Sequence, residues 1–412
     1  MSKQLFTNIQ SLVNTREETH VLKGNSLAEL PVINHAFLFL NEGKIVDYGK
    51  MVDLPGEYLQ AEIHDVTGRF ILPAWCDSHT HLVFAASRED EFVDKIKGMS
   101  YAEIAAKGGG ILNSAAKLRA MPEGELFEQS WKRLQEVMQL GTGAIEIKSG
   151  YGLTVESELK MLRVIKRLKE TAPIPVKATF LGAHSFPAEF KHDHAGYIKL
   201  IIDEMLPAIA KENLADFIDV FCEEGFYSVD ETEMICRAGI QYGLKPKIHA
   251  NQLHASGGVE AGVRLGAISV DHLETMHDEA VDMLARSTTI GTLLPTAAYF
   301  LRMPFQPARQ LIDAGCAIAL ASDFNPGTSP SGNMNMVVSM SCIQMKMLPE
   351  EAINAATING AYAIECAASV GSITKGKNAN IILTKTLPSL AYIPYAFGSN
   401  IIDKVFINGK IV

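Results

Sequence analysis

The chain has 412 residues, 47% of them hydrophobic, with 37 Lys and Arg against 47 Asp and Glu and a formal net charge of −10. This length supports a large core and exceeds the size at which single cores usually stop growing, so more than one domain is expected. The acidic balance without a dense basic run excludes nucleic acid as the natural partner, and the lack of a long apolar run or a signal-peptide core predicts a cytoplasmic protein with no membrane partner.

In chain order, residues 36–40 and 44–47 read as short strands joined by the turn Asn41-Glu42-Gly43. From about residue 71, short apolar runs alternate with longer amphipathic stretches, the pattern of repeated strand-helix units. Eight runs, at 70–82, 143–149, 176–184, 217–223, 245–251, 269–274, 288–295 and 317–323, predict a closed (β/α)8 barrel of parallel strands. Among the intervening segments, 154–171 places Leu159, Leu162, Ile165 and Leu168 near helical spacing, with Thr154 as N-cap and Pro173 and Pro175 beyond the end. Strand-like pieces return at 381–383 and 405–407, followed by Asn408-Gly409. Ends of matching character predict a small β-sandwich domain built from residues 1–70 and 370–412, with the α/β barrel of TIM type, 71–369, inserted between them. The six cysteines stand singly, with no Cys-x-x-Cys, and are expected to be reduced and mostly core.

The strongest local pattern is Asp77-Ser78-His79-Thr80-His81 at the end of an apolar run. On a strand, residues two apart share a face, so His79 and His81 can reach one metal ion. His249, His272 and Asp323 follow apolar runs in the same way. Because every strand of a (β/α)8 barrel ends at the same mouth, these distant residues can converge there. Nitrogen and oxygen donors of this kind suit Zn2+ or iron, with a position left open for water. By contrast, Gly108-Gly109-Gly110 lacks the spacing of a phosphate-binding loop, and His192 and His194 stand among loop residues, where solvated histidines are the simpler expectation.

The chain resembles the amidohydrolase superfamily and, within it, the imidazolonepropionases. The motifs that carry the resemblance are DSHTHLVF at 77–84 with Arg88, EIKSGYGL at 146–153, LGAH at 181–184, HANQL at 249–253 with Gly257-Gly258, LLPTAAYFLR at 293–302 and SDFNPGTSP at 322–330. The resemblance extends over essentially the whole chain. It implies one divalent metal ion, Zn2+ or Fe2+/Fe3+, on His79, His81, His249 and Asp323. It implies substrate binding by Arg88, Tyr151, His184, Gln252, Asn325, Gly327 and Thr328, with Asp323 and His272 as the catalytic acid-base pair. The activity implied is hydrolysis of the cyclic amide of 4-imidazolone-5-propanoate, a small-molecule substrate, to N-formimidoyl-L-glutamate in histidine degradation. A homodimer is expected on general grounds.

The residue types suit that chemistry. Arg88 offers a planar fork for a carboxylate, Tyr151 between Gly150 and Gly152 offers a phenol where the backbone can approach closely, and Asn325 to Thr328 form a turn in which Gly327 could expose an N–H. Which of Asp323 and His272 takes the first proton stays open at this level. Gln252 stands where some relatives have Glu, so a carboxylate base there is not assumed, while Ala86, Ser185 and Thr296 depart from the usual pattern without removing a chemical group. Two other functions fit parts of the pattern. A deaminase of a nucleobase-like ring would share the metal site but would not need Arg88, and a non-enzymatic protein on the same scaffold would be expected to have lost metal ligands.

Overall fold

The computed structural model describes residues 3–99, 103 and 109–412. The N-terminal part supplies β1 (Gln4–Val13), β2 (Val32–Asn41), β3 (Lys44–Lys50), β4 (Glu62–Asp65) and β5 (Arg69–Pro73). The eight strands of the barrel follow as β6 (Trp75–Asp77), β7 (Thr142–Lys148), β8 (Val176–Ala183), β9 (Phe217–Cys222), β10 (Lys245–Ala250), β11 (Ser269–His272), β12 (Ile290–Leu293) and β13 (Ala317–Leu320). The C-terminal part adds β14 (Ile381–Thr386), β15 (Ile402–Ile407) and β16 (Lys410–Ile411).

Strands from the two chain ends join in one mixed sheet of order β16-β15-β14-β5-β1-β2-β3, with β4 also paired to β1. A register shift between Phe6 and Ile9, with Asn8 at φ 56°, divides β1: its first half pairs with β4 and its second half with β5. The sheet encloses its own core of Phe6, Ile9, Leu38, Ile71, Ile381 and Phe406, drawn from both termini. The hairpin turn Glu42-Gly43 (φ 50° and 77°) and the turn Asn408-Gly409 (φ 48° and 71°) both use the left-handed region that such two-residue turns require. The two turns abut, since a Cβ added at Gly43 would lie 2.7 Å from the Asn408 carbonyl oxygen.

The expected run at 70–82 is two strands, not one. β5 pairs antiparallel with β14 in the terminal sheet, and the chain then changes partners at Ala74. There the Ala74 N–H donates to Asn380 O (2.9 Å) and the Trp75 N–H to Gly141 O (2.8 Å), so β6 begins the barrel within a single residue. Apolar continuity does not reveal such a change, because both segments are buried.

All eight barrel strands are parallel and pair in sequence order from β6 to β13. The ring closes just past the strand ends, where the His81 N–H donates to Phe324 O (2.9 Å) and the Asp323 N–H to His79 O (3.0 Å). Helices pack outside it. Val155–Thr171 starts at Thr154, whose side chain accepts the Ser157 N–H, and buries Leu159, Leu162, Ile165 and Leu168, as the spacing predicts. The methionine-rich helix Met334–Met345 buries Met334, Met340 and Met345 in packing. All six cysteines are free, and five are buried.

Candidate active site

His79 and His81 sit beyond Asp77, the last residue of β6, in an extended stretch held to the far side of the barrel by the closing hydrogen bonds. His249 lies on β10 and His272 ends β11, while Asp323 follows β13. All five are buried. The His81 and His249 Nε2 atoms approach to 3.4 Å, and Asp323 Oδ1 lies 3.5 Å from His79 Nε2 and 3.6 Å from His81 Nε2. Donor atoms of His79, His81 and His249, and of His79, His272 and Asp323, each fall within 4.8 Å of one another.

These atoms fit a metal ion. His79 Nε2 is buried with no hydrogen-bond partner, and the Nε2 atoms of His81 and His249, facing each other at 3.4 Å, are placed so that one cation could take lone pairs from all three rings. The tautomer of His79 is set from behind by a hydrogen bond, with its Nδ1 2.7 Å from Asp271 Oδ2, so that Nδ1 carries the proton and Nε2 a lone pair; His249 Nδ1 lies 2.9 Å from Asp219 Oδ2, close but off the hydrogen-bond line, where the carboxylate favours a proton on the same nitrogen. Burial holds His79, His81 and His249 below the ordinary histidine range, reinforced at His79 by Lys148 and at His81 by His184, which keeps them neutral as ligands must be. Among the protein groups alone, burial pushes the Asp323 carboxyl up to about 7, and a cation beside it draws it down. Burial also opposes the charged form of His272, but the carboxylates of Glu274, Asp323 and Asp271 outweigh it and raise this histidine. His272 and Asp323 both have positive φ, 90° and 52°, in a region side chains avoid unless their surroundings enforce it.

A cavity of about 500 Å3 opens above these groups. All seven residues expected to hold substrate line it, together with His81, His249, His272 and Asp323. Tyr151 stands between its two poles, with its ring centroid 5.8 Å from that of His81 and 6.0 Å from Arg88 Cζ. Its loop is held by Glu158, whose carboxylate accepts the N–H groups of Gly150 (3.1 Å), Gly152 (2.7 Å) and Leu153 (3.0 Å). A Cβ at Gly152 would lie 2.4 Å from the Glu158 nitrogen, so the glycine is required by close packing. His184 lies with its Nδ1 3.1 Å from Gly150 O, and burial lowers it to about 3. Arg88 donates from Nε to Ser114 Oγ (2.8 Å), and a Cβ at Gly327 would lie 2.4 Å from its Nη1.

The turn after Asp323 differs from expectation in one respect. The Gly327 and Thr328 N–H groups both donate to Asn325 Oδ1 at 2.8 Å, and Asn325 Nδ2 donates to Asp323 O at 2.7 Å. The Gly327 N–H is therefore satisfied inside the turn, and what the glycine offers is room for Arg88. His192 and His194 play no part in the cavity; His194 stacks on Phe186 at 3.5 Å and remains 43% exposed. Of the triple glycine, Gly108 lies outside the described residues, and Gly110 precedes the helix Ile111–Ala120 with its N–H donated to Glu91 (2.9 Å).

Sequence reasoning missed Phe221, Phe226 and Leu301 in the cavity wall, and Asp219, Asp271, Glu146, Lys148 and Lys247 below it. The lower group left a trace: Glu146 and Lys148, and likewise Lys247 and His249, alternate within apolar runs at the period that turns one face into the barrel.

Comparison with known proteins agrees with this geometry. Residues 70–412 match the amidohydrolase family. The chain is 58% identical to the imidazolonepropionase of Flavobacterium johnsoniae over 99% of both chains, and 40% identical to that of Thermoanaerobacter pseudethanolicus over 93% of this chain and 91% of the relative. Its fold is shared with guanine deaminase of E. coli (TM-score 0.74, 13% identity, 100% of this chain and 99% of that one). It is shared also with a zinc-bound adenosine deaminase of Xanthomonas campestris (TM-score 0.70, 15% identity, 99% and 92%). The chain thus belongs to the amidohydrolase family and, within it, to the imidazolonepropionases.

Proposed function

We propose that the chain hydrolyses the cyclic amide of 4-imidazolone-5-propanoate to N-formimidoyl-L-glutamate in histidine degradation. The observation that carries this reading is the placement of Arg88 in the same cavity as the neutral histidine cluster, with the Tyr151 ring between them. A five-membered ring bearing a propionate matches that arrangement, ring toward the histidines and carboxylate on the guanidinium. A nucleobase has no anionic tail and leaves Arg88 without a use.

His79, His81, His249 and Asp323 would hold the metal, Zn2+ or iron, which when bound supplies Lewis-acid charge and lowers the pKa of water from ~15.7 toward ~7. Arg88 takes the propionate and Ser114 holds the guanidinium in plane. Tyr151 and His184 orient the ring through hydrogen bonds, while Phe221 and Phe226 exclude water from its faces. Asp323 accepts a proton from the attacking water and returns it to the departing ring nitrogen, work of the kind typically worth ~10²–10⁴-fold. His272, raised by Glu274 and held at positive φ, donates to the oxygen that gains charge as the carbonyl carbon becomes tetrahedral. The barrel expected at 71–369, which the chain enters with β6 after Ala74, carries this chemistry, and the composite domain of 1–70 and 370–412, extended by β5 to Pro73, braces it. No helix among the described residues is long and apolar enough to cross a membrane, in keeping with a cytoplasmic enzyme, for which we propose a homodimer.

The test is incubation with 4-imidazolone-5-propanoate, with metal analysis of the same sample. Formation of N-formimidoyl-L-glutamate without free ammonia is expected; ammonia release with the ring intact would favour the deaminase reading instead.

A further inference from the structure

Below the ligand histidines the barrel holds a charged layer that does not line the cavity. The Lys148 side chain has no exposed surface; its Nζ donates to Glu146 Oε1 (2.7 Å) and Asp219 Oδ2 (2.8 Å) and lies 3.7 Å from Asp271 Oδ2. Lys247, equally buried, donates to Ser78 O (2.9 Å) and Glu146 Oε2 (3.1 Å). Thr179 Oγ1 closes the layer on Glu146 Oε1. Burying such charges is costly even when they are paired, and apolar residues of similar volume would often serve stability as well or better. Stability alone therefore does not account for the layer.

The connections of Asp219 and Asp271 suggest a use. Each carboxylate has one oxygen tied to its surroundings: Asp219 Oδ1 accepts the His249 N–H (3.0 Å), and Asp271 Oδ1 accepts the Ser269 hydroxyl (2.5 Å). The other oxygen of each faces both Lys148 and a ligand histidine, His249 Nδ1 at 2.9 Å from Asp219 Oδ2 and His79 Nδ1 at 2.7 Å from Asp271 Oδ2. Lys148 is thus one step from two histidines that come from opposite sides of the barrel.

We infer that Lys148 is a positioning residue for the metal, fixing the carboxylates of Asp219 and Asp271 so that each favours a proton on the facing Nδ1 and both Nε2 lone pairs point at one site. It touches neither substrate nor metal. Its effect is on how well the site is preorganised, and outer partners of this kind typically govern ~10–100-fold in metal affinity. The inference rests on the metal reading given above.

The test uses the full chain, zinc as probe, and two readouts other than turnover. Lys148→Met should fold, raise the zinc dissociation constant in chelator competition by ~10–100-fold, and show mixed tautomers for His79 and His249 in the nitrogen-15 NMR of histidine-labelled, metal-free protein. A folded Lys148→Met with unaltered zinc affinity and both Nδ1–H tautomers intact would overturn the assignment. Should that variant fail to fold, Glu146→Gln/Lys148→Met removes an acid with the cation and carries the same readouts, and unaltered affinity and tautomers there would overturn it equally. Failure of the unaltered chain to bind zinc would instead overturn the metal reading, and this inference with it.

Discussion

Arg88 Nε donates a hydrogen bond to Ser114 Oγ across 2.8 Å, tying the loop after β6 to the helix Ile111–Ala120. One edge of the guanidinium is thereby fixed before any ligand arrives, which, with Arg88 holding the carboxylate as proposed, spares substrate binding that ordering cost. Ser114→Ala should raise KM several-fold, in line with the ~0.5–1.5 kcal/mol of a single hydrogen bond, and leave kcat nearly unchanged. Arg88→Met should cost roughly ten- to a hundredfold in kcat/KM through the lost charge-assisted bonds. Steady-state kinetics on both variants check this, and wild-type kcat/KM in Arg88→Met would end the carboxylate role.

Gly327 is the counterpart on the other side of Arg88. A methyl group there would meet Nη1 at 2.4 Å, so Gly327→Ala must push the guanidinium away. The expected result is a KM defect approaching that of Arg88→Met with a melting temperature close to wild type. Combining the two substitutions should add little, because both act on one group.

His249→Ala should lose metal and activity together, with a fall in metal affinity beyond the ~10–100-fold typical of outer partners. Metal analysis after purification without chelator reads this directly. Full occupancy in the variant would remove His249 from the ligand set.

Glu158 offers a prediction in pH. Burial raises its carboxyl above the ordinary 4.5 although hydrogen bonds from Ser149, Leu153, Gly152 and Gly150 pull the other way. The folded chain then binds more protons than the unfolded chain between those two values, so this group's contribution to stability falls as pH rises from 4.5 through the folded value. Glu158→Gln removes that slope. Urea unfolding of both proteins between pH 4.5 and 7 should show wild type losing stability relative to the variant as pH rises; a constant difference would refute the raised carboxyl.

Much of this arrangement was legible because barrel strands deliver their last residues to one mouth. His249 and Asp323 stand near the ends of short apolar runs whose starts coincide with β10 and β13 and whose ends overshoot them by one and three residues, and a barrel has only one place for them to meet. Arg88 and Gly327 were legible as motif members, but not their mutual contact, since no pattern in either segment encodes the other. The layer around Lys148 went unread for a different reason. Charged residues within apolar runs look like strand ends in one dimension, and only a closed barrel turns them toward a shared dry axis. Ala74 hid its change of partners because burial on both sides leaves the apolar run unbroken.

The terminal sheet has a consequence for how the protein is made. β5 ends at Pro73 and its partner β14 begins at Ile381, with roughly three hundred residues of barrel between them. At ~5–20 residues per second, synthesis leaves that edge of β5 without its partner for ~15–60 s, with Ile71 and Leu72 uncovered. A chain that stalls before Ile381 displays an apolar, unpaired strand edge of the sort that recruits other chains. The last thirty residues, remote from all the chemistry, therefore decide whether the first seventy stay out of aggregates.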